Sequence, residues 1–287
     1  MSSVSPLFLL SGIGMILAGA LPILYWKIKS RASLKLFLFG GLVWAAAIVV
    51  KIVMELTLFI PLNSLLSSIY TPFGLVFIWG LILGLRTGYL ECGFTYLGAK
   101  KKLKAASFDE ATAFGIGFGG AEAVVLGLGS FMSVMVFIAF PEVLEAMPEA
   151  QRSTILKSFQ DPVVIPAPIL ERFFILMVHL LSALMIIYAI RARRAEYFVL
   201  SFMYKSSIDG LLPWMWRSFD LTKPSDLYAV EAIVALFGIV GTLGSLWMIK
   251  KFKALPEVRP RLKLSHSLII IVVVTIFLFG LSGLFLS

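Results

Sequence analysis

Long apolar runs constrain this chain more than any other feature. Eight of them, at about 6–26, 36–60, 73–97, 111–140, 169–190, 196–216, 228–249 and 267–286, reach the length that crosses a bilayer. About 20 mainly apolar residues, rising about 1.5 Å each, span the roughly 30 Å of hydrocarbon. A water-soluble fold needs helices with one polar face, and these runs show almost none. Charged residues make up 14% of the chain, against about 25% in a soluble domain, and the deficit lies in the runs. The expected fold class is all-α: a polytopic membrane helix bundle of about eight transmembrane helices.

The charges test that reading. With the N-terminus outside, the odd-numbered connections face the cytoplasm. They hold Lys27, Lys29, Arg31 and Lys35; Lys100, Lys101, Lys102 and Lys104; Arg191, Arg193 and Arg194; and Lys250, Lys251, Lys253, Arg259, Arg261 and Lys263. These are 17 of the 25 Lys and Arg, while the outer connections hold only Arg152, Lys157, Arg217 and Lys223. Cytoplasmic loops of membrane proteins carry this excess. The expectation is an integral protein of the plasma membrane with both termini outside and the lipid bilayer as its surroundings. A basic surface for nucleic acid is excluded, because the cations are divided among four short loops.

No connection is long enough to fold alone, so residues 1–287 are read as a single integral membrane domain. The first run lacks a basic n-region and is read as a retained helix rather than a signal peptide. The longest connection, about 141–168, has five prolines and mixed charge, and is expected outside with one short surface helix near 142–157. Cys92, the one cysteine, has no internal partner for a disulfide.

Ionisable groups inside the runs are the candidate functional residues. A charge at the centre of a membrane helix costs roughly 2.5–3.5 kcal/mol on an insertion scale and usually faces the protein interior. Glu91 lies nine residues before Lys100, about 13 Å along a helix. Glu122, His179, Lys205 and Asp209 fall at similar depths in three other runs. Five groups in one layer, on four helices, can converge on one pocket. Residues three or four apart share a helix face, which adds Thr95 to Glu91, Phe118 to Glu122, and Ser182 to His179, and pairs Lys205 with Asp209. Gly115, Gly119, Ala123 and Gly127 form a small-residue ridge beside Glu122 that lets another helix approach closely. Lys51 and Glu55, one turn apart, are expected to pair. Arg86 reads equally as a structural residue or a counter-ion for Glu91. Glu171, Arg172 and Glu231 are expected at the outer interface. "GIGFGG" matches a dinucleotide fingerprint in letters only, since no strand precedes it.

Two carboxylates and an imidazole in a partly dry pocket can activate water, one carboxylate as general base and the other as acid. On this reading Glu91, Glu122, His179 and Asp209 are the catalytic candidates, lined by Thr95, Phe118, Ser182 and Lys205. His179 can be a metal ligand, a hydrogen-bond donor or an oxyanion stabiliser. The metal signal in the residues alone is weak, with no H-E-x-x-H and one intramembrane histidine.

The segments "FGIGFGGAEAVVLG", "ILERFFILMVHLLSALMIIYAI" and "SFMYKSSIDG" resemble the YhfC family of intramembrane metallopeptidases, related to the PrsW-type and CAAX/Abi-type membrane proteases. The resemblance covers about 85–215, a peptidase-like core. It implies hydrolysis of membrane-proximal peptide bonds, membrane proteins or peptides as substrates, and a zinc ion held by residues including His179, Glu122 and Asp209. One family motif is intact as Glu171, Arg172 and His179, followed by Ser182. Others are altered. The second acid of a Glu-Glu pair is Cys92 and the following arginine is Thr95. Phe118 and Lys205 stand where the family has histidines, which puts zinc in doubt. Three readings stay open: a peptidase with a degenerate, metallo- or glutamate-type site; an inactive pseudopeptidase that binds membrane proteins; and a small ion-coupled transporter using Glu122, Asp209 and Lys205.

Overall fold

The computed structural model describes residues 4–255. The eighth apolar run, 267–286, and the cations Arg259, Arg261 and Lys263 lie outside the described residues. Within them the chain is helical: α1 (Leu9–Ser30), α2 (Leu34–Met54), α3 (Ile60–Ile69), α4 (Pro72–Thr87), α5 (Gly93–Lys102), α6 (Phe108–Ala139), α7 (Glu142–Glu145), α8 (Glu149–Ser158), α9 (Pro166–Ala192), α10 (Ala195–Ser218) and α11 (Pro224–Lys253). The fold is an all-α polytopic bundle. Six continuous helical stretches are long and apolar enough to cross a membrane: Pro6–Ser30, Leu34–Ile69, Pro72–Lys102, Phe108–Ala139, Pro162–Ala192 and Pro224–Lys253. A seventh, α10, matches the expected run at 196–216 in length. It carries Glu196, Lys205, Asp209 and Arg217 and is less apolar than the other six.

Local sequence sets the helix ends. Ser107 and Glu110 form a reciprocal capping box at the start of α6, each side chain bonding the other's backbone N–H, at 3.2 and 2.8 Å. Thr71 caps α4, with Pro72 in its first turn. Arg31 and Arg193, at φ 56° and 54°, end α1 and α9 in the left-handed region.

α6 sits at the centre, packed against α1, α2 and α9; α9 in turn packs on α11 and α10, and α10 on α4. The ridge expected on α6 divides between two neighbours. Gly115 and Gly119 face Leu180, Leu176 and His179 on α9, while Ala123 and Gly127 face α1 at Gly19 and Gly12. Gly117 serves a third contact: a Cβ there would stand 2.1 Å from the carbonyl oxygen of Phe37 on α2. These close approaches place α6 against three helices at once, and the glycine-rich run is an unbroken helix.

The outward faces are apolar. Leu10, Ile13, Leu17, Leu21, Leu24 and Ile28 form an exposed stripe along α1, as a lipid-facing helix requires. The 141–168 connection folds as two short helices rather than one. They cover one end of the bundle through a small cluster of Phe8, Val134, Phe137 and Leu144, with Phe8 and Phe159 edge to face at 5.0 Å.

Two single π-helical turns interrupt the regular helices, at Glu55–Phe59 after α2 and Gly88–Cys92 between α4 and α5. Such turns widen a helix by one residue and shift the faces on either side. The second carries Glu91.

Candidate functional site

The structure gathers a chain of ionic groups in the middle of the bundle. Glu91, on the π turn, is buried. Its Oε1 accepts from Lys51 Nζ of α2 at 2.5 Å, and its Oε2 is in contact with Lys205 Nζ of α10. Lys205 Nζ lies 2.6 Å from His179 Nδ1 on α9 and 5.5 Å from the centre of the Phe118 ring on α6. His179 Nε2 is 2.9 Å from Glu122 Oε2. Glu122 also accepts from Trp44 Nε1 at 2.9 Å and from Arg172 Nη1 at 2.6 Å, and Arg172 reaches Glu171 with its second terminal nitrogen. At the opposite end, Asp209 accepts from Thr87 Oγ1 and lies 3.5 Å from Lys51.

Lys51, Lys205 and Arg172 thus face Glu91, Glu122 and Asp209, with the partly exposed Glu171 as a fourth acid on Arg172. Buried ions are tolerated only in such closely paired, hydrogen-bonded arrangements. The contacts also fix the imidazole. Lys205 donates to Nδ1, which leaves the proton on Nε2 to donate to Glu122.

Of the eight residues expected in the site, Glu91, Lys205, His179 and Glu122 are linked in one chain of contacts. Thr95, Phe118 and Ser182 join Glu91, His179 and Lys205 around a cavity of about 10 Å³, close to the room one water needs. Asp209 lies at the margin, tied to Glu91 through Lys51, with 25% of its side chain exposed.

Several local expectations are corrected. Lys51 does not pair with Glu55. Glu55 opens a π turn and binds Arg86 at 2.7 Å, while Lys51 turns inward to Glu91. Arg86 is therefore the counter-ion of Glu55 and not of Glu91. Lys205 pairs with Glu91 and His179, and not with Asp209 one turn away. Arg172 and Glu231, expected at the interface, are buried; Arg172 points inward because Glu122 lies within its reach on α6. Trp44, Lys51 and Arg172 belong to the cluster without having been assigned to it. A lysine inside the second apolar run and an arginine three residues into the fifth were the available signals. Cys92 is a free thiol beside Ser182 and Ser201, at 3.8 and 3.7 Å.

A larger cleft, of about 880 Å³, opens between α3, α4 and α10. Glu55, Phe59, Trp79, Arg86 and Trp216 line it. Glu55 lies one turn from Lys51, and Arg86 adjoins Thr87, so the inner wall of the cleft borders the ionic cluster.

An all-α membrane bundle enclosing carboxylates, an imidazole and a water-sized cavity has the makings of an intramembrane hydrolase. A model of the YhfC intramembrane metalloprotease family matches residues 14–236, and the chain belongs to that family. The match extends beyond 85–215 in both directions. No curated protein and no solved structure matches the chain.

The residues present do not fit the zinc ion that the family description implies. His179 is the one histidine among the described residues, and both its ring nitrogens are engaged. The Lys205 ammonium stands between His179 and Glu91, where a dication would meet it at contact distance. Phe118 offers a ring and no donor. Among the described residues, no group of three or more His, Cys, Asp or Glu is arranged to hold a metal ion.

Proposed function

We propose that the chain hydrolyses peptide bonds of membrane-embedded polypeptides at a metal-independent, glutamate-type site. The observation that carries this reading is the water-sized cavity walled by Glu91, Thr95, Phe118, His179, Ser182 and Lys205. Glu91 is the base. It takes a proton from water as the water oxygen attacks the peptide carbonyl carbon. The Lys205 ammonium faces the oxyanion that forms, and Glu91 returns the proton to the leaving amine nitrogen as the C–N bond breaks. His179 holds Lys205 through Nδ1, and Glu122 holds His179 through Nε2. Asp209 and Thr87 position Lys51 behind the base. Substrate reaches the cavity from the 880 Å³ cleft, in the plasma membrane, with the basic loops in the cytoplasm.

The test is cleavage of a membrane-embedded fluorogenic peptide by the purified, reconstituted protein. Glu91→Gln is expected to lower turnover by about 10²–10⁴-fold, and a chelator to leave it unchanged. Full activity in Glu91→Gln, or activity abolished by chelation and restored by zinc, overturns the assignment.

One observation favours a second reading, a pseudopeptidase that binds membrane polypeptides without cutting them. Both oxygens of Glu91 are held by lysines, and a carboxylate so neutralised is a weak base. Retention of substrate peptide by the reconstituted wild type, with no turnover, selects this reading.

A further inference from the structure

We propose that the basic end of the bundle carries a binding site for an anionic phospholipid, with its headgroup between α5, α9 and α10 and its acyl chains along α4 and α10. A cleft of about 760 Å³ there is lined by Lys100, Lys104, Arg191 and Arg193 over an aromatic floor of Tyr96 and Phe198, and no acidic residue lines it. The bias that orients membrane proteins explains why cations lie at this end. It does not explain why Lys100, Lys104 and Arg193, from two separate connections, line one hollow. Arg191 lines the edge of the cleft, its guanidinium donating to the Ala106 carbonyl at 2.6 Å and lying over the Phe252 ring at 5.8 Å, outside the hollow, while Lys100 lies over the Tyr96 ring, 5.6 Å from its centre. The neighbouring acid, Glu196, is engaged by Arg194 outside the cleft. A phosphate group meets these requirements, and basic pockets between membrane helices take such headgroups.

A second observation selects a lipid over a soluble phosphate. Phe198, on the cleft floor, contacts Phe202, with ring centres 6.5 Å apart. Phe202 in turn lines an apolar groove of about 630 Å³ along α4 and α10, with Phe77, Gly84, Leu85 and Trp214. From Phe202 to Trp214 the groove runs about 18 Å along α10, close to the roughly 15 Å half-thickness of the hydrocarbon. An anionic head with apolar tails of one leaflet fills both hollows together.

The experiment uses the full-length protein in neutral detergent or phosphatidylcholine, with retained lipid read by native mass spectrometry after adding phosphatidylglycerol. Phosphatidylglycerol is expected to remain bound where phosphatidylcholine does not. The double variant Lys104→Gln/Arg193→Asn is expected to weaken retention by about tenfold or more. Asparagine is chosen because Arg193 has a φ of 54°, which it tolerates. If that variant does not fold, Lys100→Gln and Lys104→Gln, read singly, decide the same question. Equal retention of the two lipids, or unchanged retention in the variants, overturns the proposal. Thermal stabilisation by inorganic phosphate equal to that by the lipid also overturns it, since the ligand is then soluble.

Discussion

Arg172 shows how much one side chain decides here. It is buried, and it supplies one terminal nitrogen to Glu122 and the other to Glu171. Glu122 in turn accepts from His179, so Arg172 fixes the imidazole from two residues away. Removing one partner of a buried pair leaves the other uncompensated and costs about 3–5 kcal/mol. Arg172→Ala is therefore expected to lower the unfolding temperature in detergent sharply, and Arg172→Lys to recover part of the loss. An unchanged midpoint in Arg172→Ala would mean that Glu122 is satisfied without it. The sequence placed Arg172 near the end of an apolar run, and that position is compatible with an interface. Only the approach of Glu122 on α6 turns it inward.

At the scale of elements, the glycines of α6 and the two π turns set the geometry. A methyl group at Gly117 would meet the Phe37 carbonyl oxygen at 2.1 Å, a backbone atom that cannot move alone, whereas one at Gly129 meets nothing within 4 Å. Gly117→Ala is expected to destabilise by about 1–3 kcal/mol and Gly129→Ala to be neutral or slightly stabilising. Denaturation of the two variants side by side reads the difference, and equal midpoints would show that α2 and α6 do not touch there. The shared depth of Glu91, Glu122, His179 and Lys205 was legible from residue spacing, because rise per residue is nearly constant along a helix. Their partners were not. Spacing favours Lys51 with Glu55 and Lys205 with Asp209, each one turn apart. The π turn at Glu55 breaks the first of these alignments, and for Lys205 the nearer acid is Glu91 on another helix.

The described residues form a membrane bundle whose central ionic cluster is turned inward and whose outer faces are apolar. The proposed orientation, with the basic loops in the cytoplasm, is open to direct labelling. Cys92 is fully buried, so the native chain supplies a silent background for labelling. Lys101→Cys is expected to react with an impermeant maleimide only in inside-out vesicles, and Lys157→Cys only in right-side-out cells. Labelling of both from one side would reverse or abolish the proposed topology.

Composition and run length determined by themselves that this chain lies in a bilayer as helices and that its ionisable groups share a layer. Both properties depend on transfer from water and on axial rise, which act on each segment separately. The tertiary structure alone decided which charges meet, that Lys205 stands between His179 and Glu91, and that Arg172 and Lys51 belong to the cluster. Those outcomes depend on how each helix is rotated against its neighbours. Close glycine contacts and π turns set that rotation, and no single segment contains it.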